Sequence, residues 1–459
     1  MPYRTATQLA TALRQRHVSS AELIEAAIER IETLDGRINA VVVRDFERAR
    51  AAARLADAAL ARGETGPLLG VPMTVKEAFN VAGLPTTWGL PGTSEIPAGV
   101  DAVAVQRLKA AGAIILGKTN IATLLADWQC ANPVYGVTRN PWDLTRTPGG
   151  SSGGGAAALA AGLTPLEFGS DLSASLRCPA AFCGLYAHKP SFGLVPNRGF
   201  APPGTPMLRA SPMLDMSVVG PVARSAADLA LALDITAGAD EREAVAWRLQ
   251  LPPPRHEALR DHRVFVLDDH PQLATAQSVR GALNERAEAL AKAGCQIGRQ
   301  SDRLPDLKAI TETFVPLLMA IFAADGPGDE GGPSHADWIR ADRRRAELAH
   351  QWSEFFDDWD VVLCPAMPTT ALPLNPSAGP PASIDVDGAP VPYQAQPLWA
   401  PLAALTGQPA TVAPIGFDAA GLPIGAQIIG PFLEDRTTLA FAEQMEEAFG
   451  GFVAPPGWR

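Results

Sequence analysis

Apolar positions along this chain switch between helical spacing and short solid runs, the pattern of helices stacked on a buried sheet. Residues 5–35 read as a helical hairpin: Ser19 and Glu22 make a capping box, and Leu23, Ala27, Ile31 and Leu34 follow at helical spacing. Residues 44–62 read as an Ala-rich helix closed by Gly63. The run 68–77 is apolar and strand-like, with Lys76 near its end; 101–112 follows as a helix and 113–116 as a strand. Residues 224–237 form a helix with Ser225 and Asp228 in capping positions, 264–267 a strand, 277–293 a helix and 361–364 a strand stopped by Pro365. A helix at 399–405, strands at 410–414 and 426–429, and a closing helix at 434–449 complete the order. Such alternation predicts an α/β layered fold with a mostly buried sheet.

No internal repeat and no linker divides the chain, so one catalytic domain over 1–459 is expected, with 1–65 as a helical segment packed on it. Residues 128–136 and 141–148 read as irregular connections, and 194–212 as a Gly/Pro-rich loop. The stretches 240–260, 324–336 and 370–395 are rich in Pro, Gly, Asp or Ala and are expected to be surface excursions that shape a substrate site.

The densest chemistry lies between Thr147 and Lys189. A Gly/Ser run spans Gly149 to Gly155, a small-residue helical segment follows at 156–161, and Ser170, Ser173 and Ser175 form a second cluster. The pattern GxSxG occurs twice there, centred on Ser151 and Ser152, but a nucleophile elbow needs a strand just before it. Residues 139–148 hold two prolines and no apolar run, and none of the seven histidines stands out by context. The run 112–119 also matches the phosphate-loop pattern GxxxxGK[ST]. Its four middle residues, Ala-Ile-Ile-Leu, read as a strand in its own right and not as a loop around phosphates.

Composition narrows the partners. The 459 residues are 47% hydrophobic and 19% charged, as in an ordered globular protein. A net charge of −11 leaves no basic excess for nucleic acid or an anionic membrane, and Arg343 to Arg345 read as a solvated helix face. Five cysteines without CxxC spacing fit a reducing compartment and indicate neither a disulfide framework nor a zinc site. No apolar run approaches a membrane span, the longest being 316–324, so a cytoplasmic location is expected.

Three segments in order, VPMTVKEAF, TPGGSSGGGAAALAAG and GSDLSASLRCPAAFCGLYAHKPSFG, together resemble the amidase signature family. GKTN at 117–120, TGQPATVAP at 406–414 and LPIGAQIIG at 422–430 extend the resemblance over nearly the whole chain. It implies a large mixed sheet covered by helices on both faces, and a Ser-cisSer-Lys triad with no metal or cofactor. Ser175 is then the nucleophile, Ser151 the relay after a cis peptide bond, and Lys76 the base, which burial must hold neutral. Backbone N–H groups of Leu172, Ser173, Ala174 and Ser175 would form the oxyanion hole. Trp128, Gln129 and Cys130 occupy the segment that lines the acyl pocket in similar proteins.

Where the family usually carries two glycines before the nucleophile, this chain has Ser173 and Ala174. If either position needs φ > 0, its Cβ costs about 1–2 kcal/mol. Asp171 and Arg177 are expected to form a buried structural pair, and Cys130, Cys178 and Cys183 to be buried apolar residues. The expected substrate is a small neutral amide, with esters and carbamates (urethanes) as further substrates; self-association is left open. The alternatives are a glutamyl-tRNA amidotransferase-like subunit working with partner chains, or a binding protein that keeps the fold without turnover.

Overall fold

The computed structural model describes residues 2–205, 214–324, 332–375 and 380–458. Parts of the expected loops at 194–212, 324–336 and 370–395 therefore lie outside the described residues.

Capping starts the helical hairpin. Thr5 with Gln8 and Ser19 with Glu22 close capping boxes on α1 (Ala6–Arg14) and α2 (Ser20–Leu34). Ile24, Ala27, Ile28 and Ile31 of α2 then pack with Ala49, Ala53 and Ala56 of α3 (Phe46–Ala61) in a core cluster of their own. Arg44, expected in that helix, instead ends strand β1 (Val41–Arg44), because three successive valines favour an extended chain.

The sheet continues with β2 (Pro72–Lys76) and β3 (Ile114–Thr119), the second of which carries the phosphate-loop-like run as a strand. Lys118 is buried there and donates to Pro85 O and to Thr86 Oγ1. The connection around 128–136 contains a short pair, β4 (Ala131–Asn132) with β5 (Gly136–Val137). Next come β6 (Leu166–Asp171), β7 (Tyr186–Lys189) and β8 (Val218–Ala223), which the hydropathy pattern does not announce. Every residue in these three strands is buried, so no alternation appears, and charged or small residues interrupt each apolar run. β9 (Arg263–Val266), β10 (Gln296–Gly298) and β11 (Val361–Pro365) follow. The excursion at 370–395 contains a largely exposed hairpin, β12 (Ser383–Val386) with β13 (Ala389–Pro392), followed by buried Tyr393. β14 (Ala410–Phe417) and β15 (Pro423–Ile429) close the set.

Among the described residues one 11-stranded sheet runs β1-β3-β2-β6-β8-β7-β14-β15-β11-β9-β10. β2 is parallel to both β3 and β6, β9 is parallel to β10 and β11, and the remaining pairs are antiparallel. The fold is a mixed α/β sheet flanked by helices, as expected.

Two short helices bring the Gly/Ser segments over that sheet. After α4 (Val103–Ala110), α5 (Gly153–Ala160) packs on β1, β2, β3, β6 and β8, and α6 (Arg177–Cys183) on β7, β14 and β15. α5 begins three residues earlier than the small-residue segment, so three glycines form its first turn. α7 (Ala226–Thr236) is capped by Ser225 Oγ. The Asp228 carboxylate does not complete that box; it accepts from the N–H groups of Ala6 and Thr7 and fastens α1. α8 (Gln277–Lys292), α9 (Leu307–Ala324), α10 (His335–Asp358), α11 (Pro401–Ala404) and α12 (Asp435–Phe449) complete the helices. The helix expected at 399–405 is split, since Pro397 and Pro401 break its start into a 3₁₀ segment (Tyr393–Trp399) and a single α-turn. Arg345 departs from the expected solvated face and pairs with Asp215 at 2.7 Å. No helix among the described residues is long and apolar enough to cross a membrane.

Candidate active site

Lys76 closes β2, between β3 and β6, with its side chain wholly buried. Its Nζ donates to Ser151 Oγ at 2.7 Å and to Ser170 Oγ at 2.9 Å. Burial penalises the charged ammonium and lowers its pKa to about 7; Asp171, Cys130 and Glu167 oppose the shift without overcoming it. Ser170, a member of the second serine cluster to which the sequence assigns no role, is the further partner. It lies on the strand parallel to β2, 94 residues from Lys76, and strand pairing alone brings it into reach.

Ser151 is wholly buried and follows a cis peptide bond, Gly150–Ser151. The Asp127 and Trp128 backbone lies so close over Gly150 that a Cβ there would fall 2.4 Å from Asp127 O. Ser152 N–H donates to Ser175 O at 3.2 Å, which draws the loop before α6 onto the start of α5. Ser175 is 7% exposed, and its hydroxyl makes no hydrogen bond with any described residue. Lys76 and Ser151 are therefore directly joined, while Ser175 is held through its backbone to Ser152, the next residue along from Ser151.

The loop carrying Ser175 is built around Asp171. Its carboxylate accepts from the N–H groups of Ala174, Leu176 and Arg177 and from the Arg177 side chain. Arg177 is also buried and reaches Ala400 O and Gln427 Oε1, so the pair is structural, as expected. This wiring changes the expected oxyanion hole. The Ala174 N–H points inward to Asp171 at 3.0 Å, leaving the N–H groups of Leu172, Ser173 and Ser175 without an acceptor among the described residues. Ala174 has φ +73°, and Ser173 is absent from the positive-φ residues, so only the second of the two replaced glycines carries the conformational cost. Ser173 Oγ is buried without a partner.

Trp128 is partly exposed, and its Nε1–H donates to Ser173 O at 2.8 Å. Its ring packs 5.8 Å from that of Tyr393, whose hydroxyl donates to Asp127. Gln129 is buried and accepts from Asn375 N–H. Cys130 is wholly buried, and burial pushes its thiol up to about 11. Of the three, Trp128 alone has partial exposure beside the loop that carries Ser175. All five cysteines are buried and free.

One further buried acid lies close by. Glu167 on β6 accepts from Thr119 Oγ1 at 2.6 Å, while its Oε2 has no partner; burial raises its pKa to about 7. A Cβ on Gly155 would approach its Cδ to 2.6 Å, so this carboxyl fills the space under the first turn of α5.

Comparison with known proteins places this geometry. A family model, Amidase, matches residues 22–327 and 328–439. The putative amidase AmiB2 of Mycobacterium tuberculosis (strain ATCC 25618 / H37Rv) is 36% identical over 458 residues, covering 93% of this chain and 92% of the relative. A glutamyl-tRNA(Gln) amidotransferase subunit of Roseiflexus castenholzii is 32% identical over 481 residues, covering 95% of this chain and 94% of the relative. A solved structure of a vestigial protein complex, described as revealing the evolutionary origins of an s-triazine catabolic enzyme, superposes with TM-score 0.84 at 29% identity. The match covers 97% of this chain and 99% of that one. The chain belongs to the amidase signature family and is a hydrolase of amide carbon–nitrogen bonds.

Proposed function

We propose that the chain hydrolyses small neutral amides through an acyl-enzyme on Ser175, with Ser151 as proton relay and Lys76 as base. The observation that carries this reading is the 2.7 Å contact between a fully buried Lys76 and Ser151. Above about pH 7 the amine is neutral, with two N–H donors and one lone pair. Ser170 accepts one N–H, which leaves the lone pair free to turn toward the Ser151 hydroxyl.

Ser175 Oγ attacks the carbonyl carbon while its proton passes to Ser151 Oγ, and the Ser151 proton passes to Lys76 Nζ. The relay contact from Ser175 to Ser151 closes when substrate is bound, as catalytic hydrogen bonds commonly do. The N–H groups of Leu172, Ser173 and Ser175 stabilise the tetrahedral oxyanion; losing one such donor typically costs roughly 10²–10³ in rate. The proton then returns through Ser151 to the leaving nitrogen, the C–N bond breaks, and water releases the acid from Ser175. Esters and carbamates pass through the same kind of intermediate. Asp171 and Arg177 neutralise each other, which leaves the loop suited to an uncharged substrate beside Trp128.

Phenylmethylsulfonyl fluoride tests the nucleophile. Intact-mass spectrometry should find one adduct on the wild type and on Ser173→Ala, and none on Ser175→Ala. Labelling that survives Ser175→Ala and vanishes in Ser173→Ala would transfer the role to Ser173. The similarity to one chain of a glutamyl-tRNA(Gln) amidotransferase supports a second reading, in which this site serves a partner chain. Turnover of simple anilides by the isolated chain favours the first.

A further inference from the structure

α6 runs from the nucleophile loop to Gly184, and a separate cleft opens there, with a cavity volume of about 450 Å³. Strands β14 and β15 form one side and the chain leaving α12 the other. Trp142 and Phe417 stand against each other with centroids 5.3 Å apart, and Phe449, Phe452 and Val453 complete an apolar wall. Phe417 is 47% exposed and Val453 50%, so the wall faces solvent.

Arg286, from α8, lines the same cleft. Its guanidinium lies 4.7 Å from the centroid of the Phe449 ring and makes one hydrogen bond, to Ile415 O at 3.2 Å. A guanidinium has five N–H donors, and no carboxylate among the described residues meets this one. Part-buried arginines elsewhere are satisfied: Arg198 pairs with Asp240, Arg255 with Glu434 and Arg345 with Asp215. Arg107 instead reaches three backbone carbonyls. The Glu446 carboxylate is engaged by the Ala226 N–H. A planar fork of free donors, partly desolvated and set among aromatic rings, matches an organic anion with an apolar body.

We propose that this cleft binds a small monocarboxylic acid with an aromatic body, its carboxylate on Arg286 and its ring against Trp142 and Phe417. The site is distinct from the Lys76 and Ser151 cluster and does not depend on the catalytic reading.

Titration calorimetry of the full chain with 3-phenylpropionate tests it, with 3-phenylpropanol as the uncharged control. The acid should bind the wild type, and Arg286→Gln should weaken it by about tenfold or more, the worth of a charge-assisted contact. Phe417→Ala, which removes a half-exposed ring and leaves the core intact, should weaken it by about threefold or more from lost apolar burial. The alcohol should show no dependence on Arg286. Absent binding, or an affinity that Arg286→Gln leaves unchanged, overturns the proposal. Loss in Arg286→Gln with none in Phe417→Ala overturns the aromatic part of it.

Discussion

The Asp171 carboxylate receives two side-chain N–H groups of Arg177, at 2.8 and 3.0 Å, and both residues are buried. Burial by itself would raise the Asp171 pKa; the Arg177 charge and the hydrogen bonds outweigh it and hold the carboxyl below its ordinary value. Asp171→Asn strands a buried guanidinium and should cost about 3–5 kcal/mol in urea unfolding. Because the folded pKa is depressed, this stabilisation is present above the ordinary aspartate range and is lost as pH falls through the folded value. The gap between wild type and variant should therefore narrow in acid. A loss below about 1 kcal/mol at pH 7 would contradict the structural role of the pair.

Ala174 sits at φ +73° with its N–H on Asp171. Ala174→Gly relieves the left-handed penalty of about 1–2 kcal/mol but frees the unfolded chain by about 0.4–1 kcal/mol. A net gain of about 0.5–1 kcal/mol in denaturant unfolding is expected, with the labelling site on Ser175 unchanged. A net loss would mean that the Ala174 methyl packs better than its backbone angle costs.

Glu167 is raised to about 7 by burial, from an ordinary glutamate value of 4.5. A folded-state acid with a raised pKa holds its proton longer than the unfolded chain does. Ionising it therefore removes stability as pH climbs from about 4.5 through 7. Glu167→Gln cannot ionise, so its stability relative to wild type should improve over that window. Parallel curves for the two proteins across pH 4 to 8 would refute a raised Glu167.

The features of this fold and its candidate site differ in how far the sequence discloses them. The Ser19–Glu22 box and the stripe through Leu23, Ala27 and Ile31 are local, so spacing alone finds them. The expectation at Lys76, Ser151 and Ser175 rests on ordered segments that resemble a family, and not on the ionic character of any one residue; of the three, Lys76 and Ser151 are in direct contact. The contact of Ser170 with Lys76 and the burial of Glu167 escape because they come from strand pairing across some 90 residues of chain, which no local pattern encodes. The Arg44 assignment fails at an element boundary, where β-branched Val41 to Val43 outvote the alanines that follow. Tyr393 is missed because its contact with Asp127 spans 266 residues and begins in a segment whose composition reads as loop.

The base assignment is tested most directly by kcat/KM for an uncharged anilide between pH 5 and 9, measured on wild type and on Glu167→Gln. Lys76 lowered to about 7 predicts a single-proton rise through that value to a plateau, because the protonated amine cannot accept from Ser151. The same rise should persist in Glu167→Gln, which separates it from the neighbouring acid, and Lys76→Met should abolish turnover at every pH. A rate that stays flat from pH 5 to 9, or turnover that survives Lys76→Met, would contradict the account.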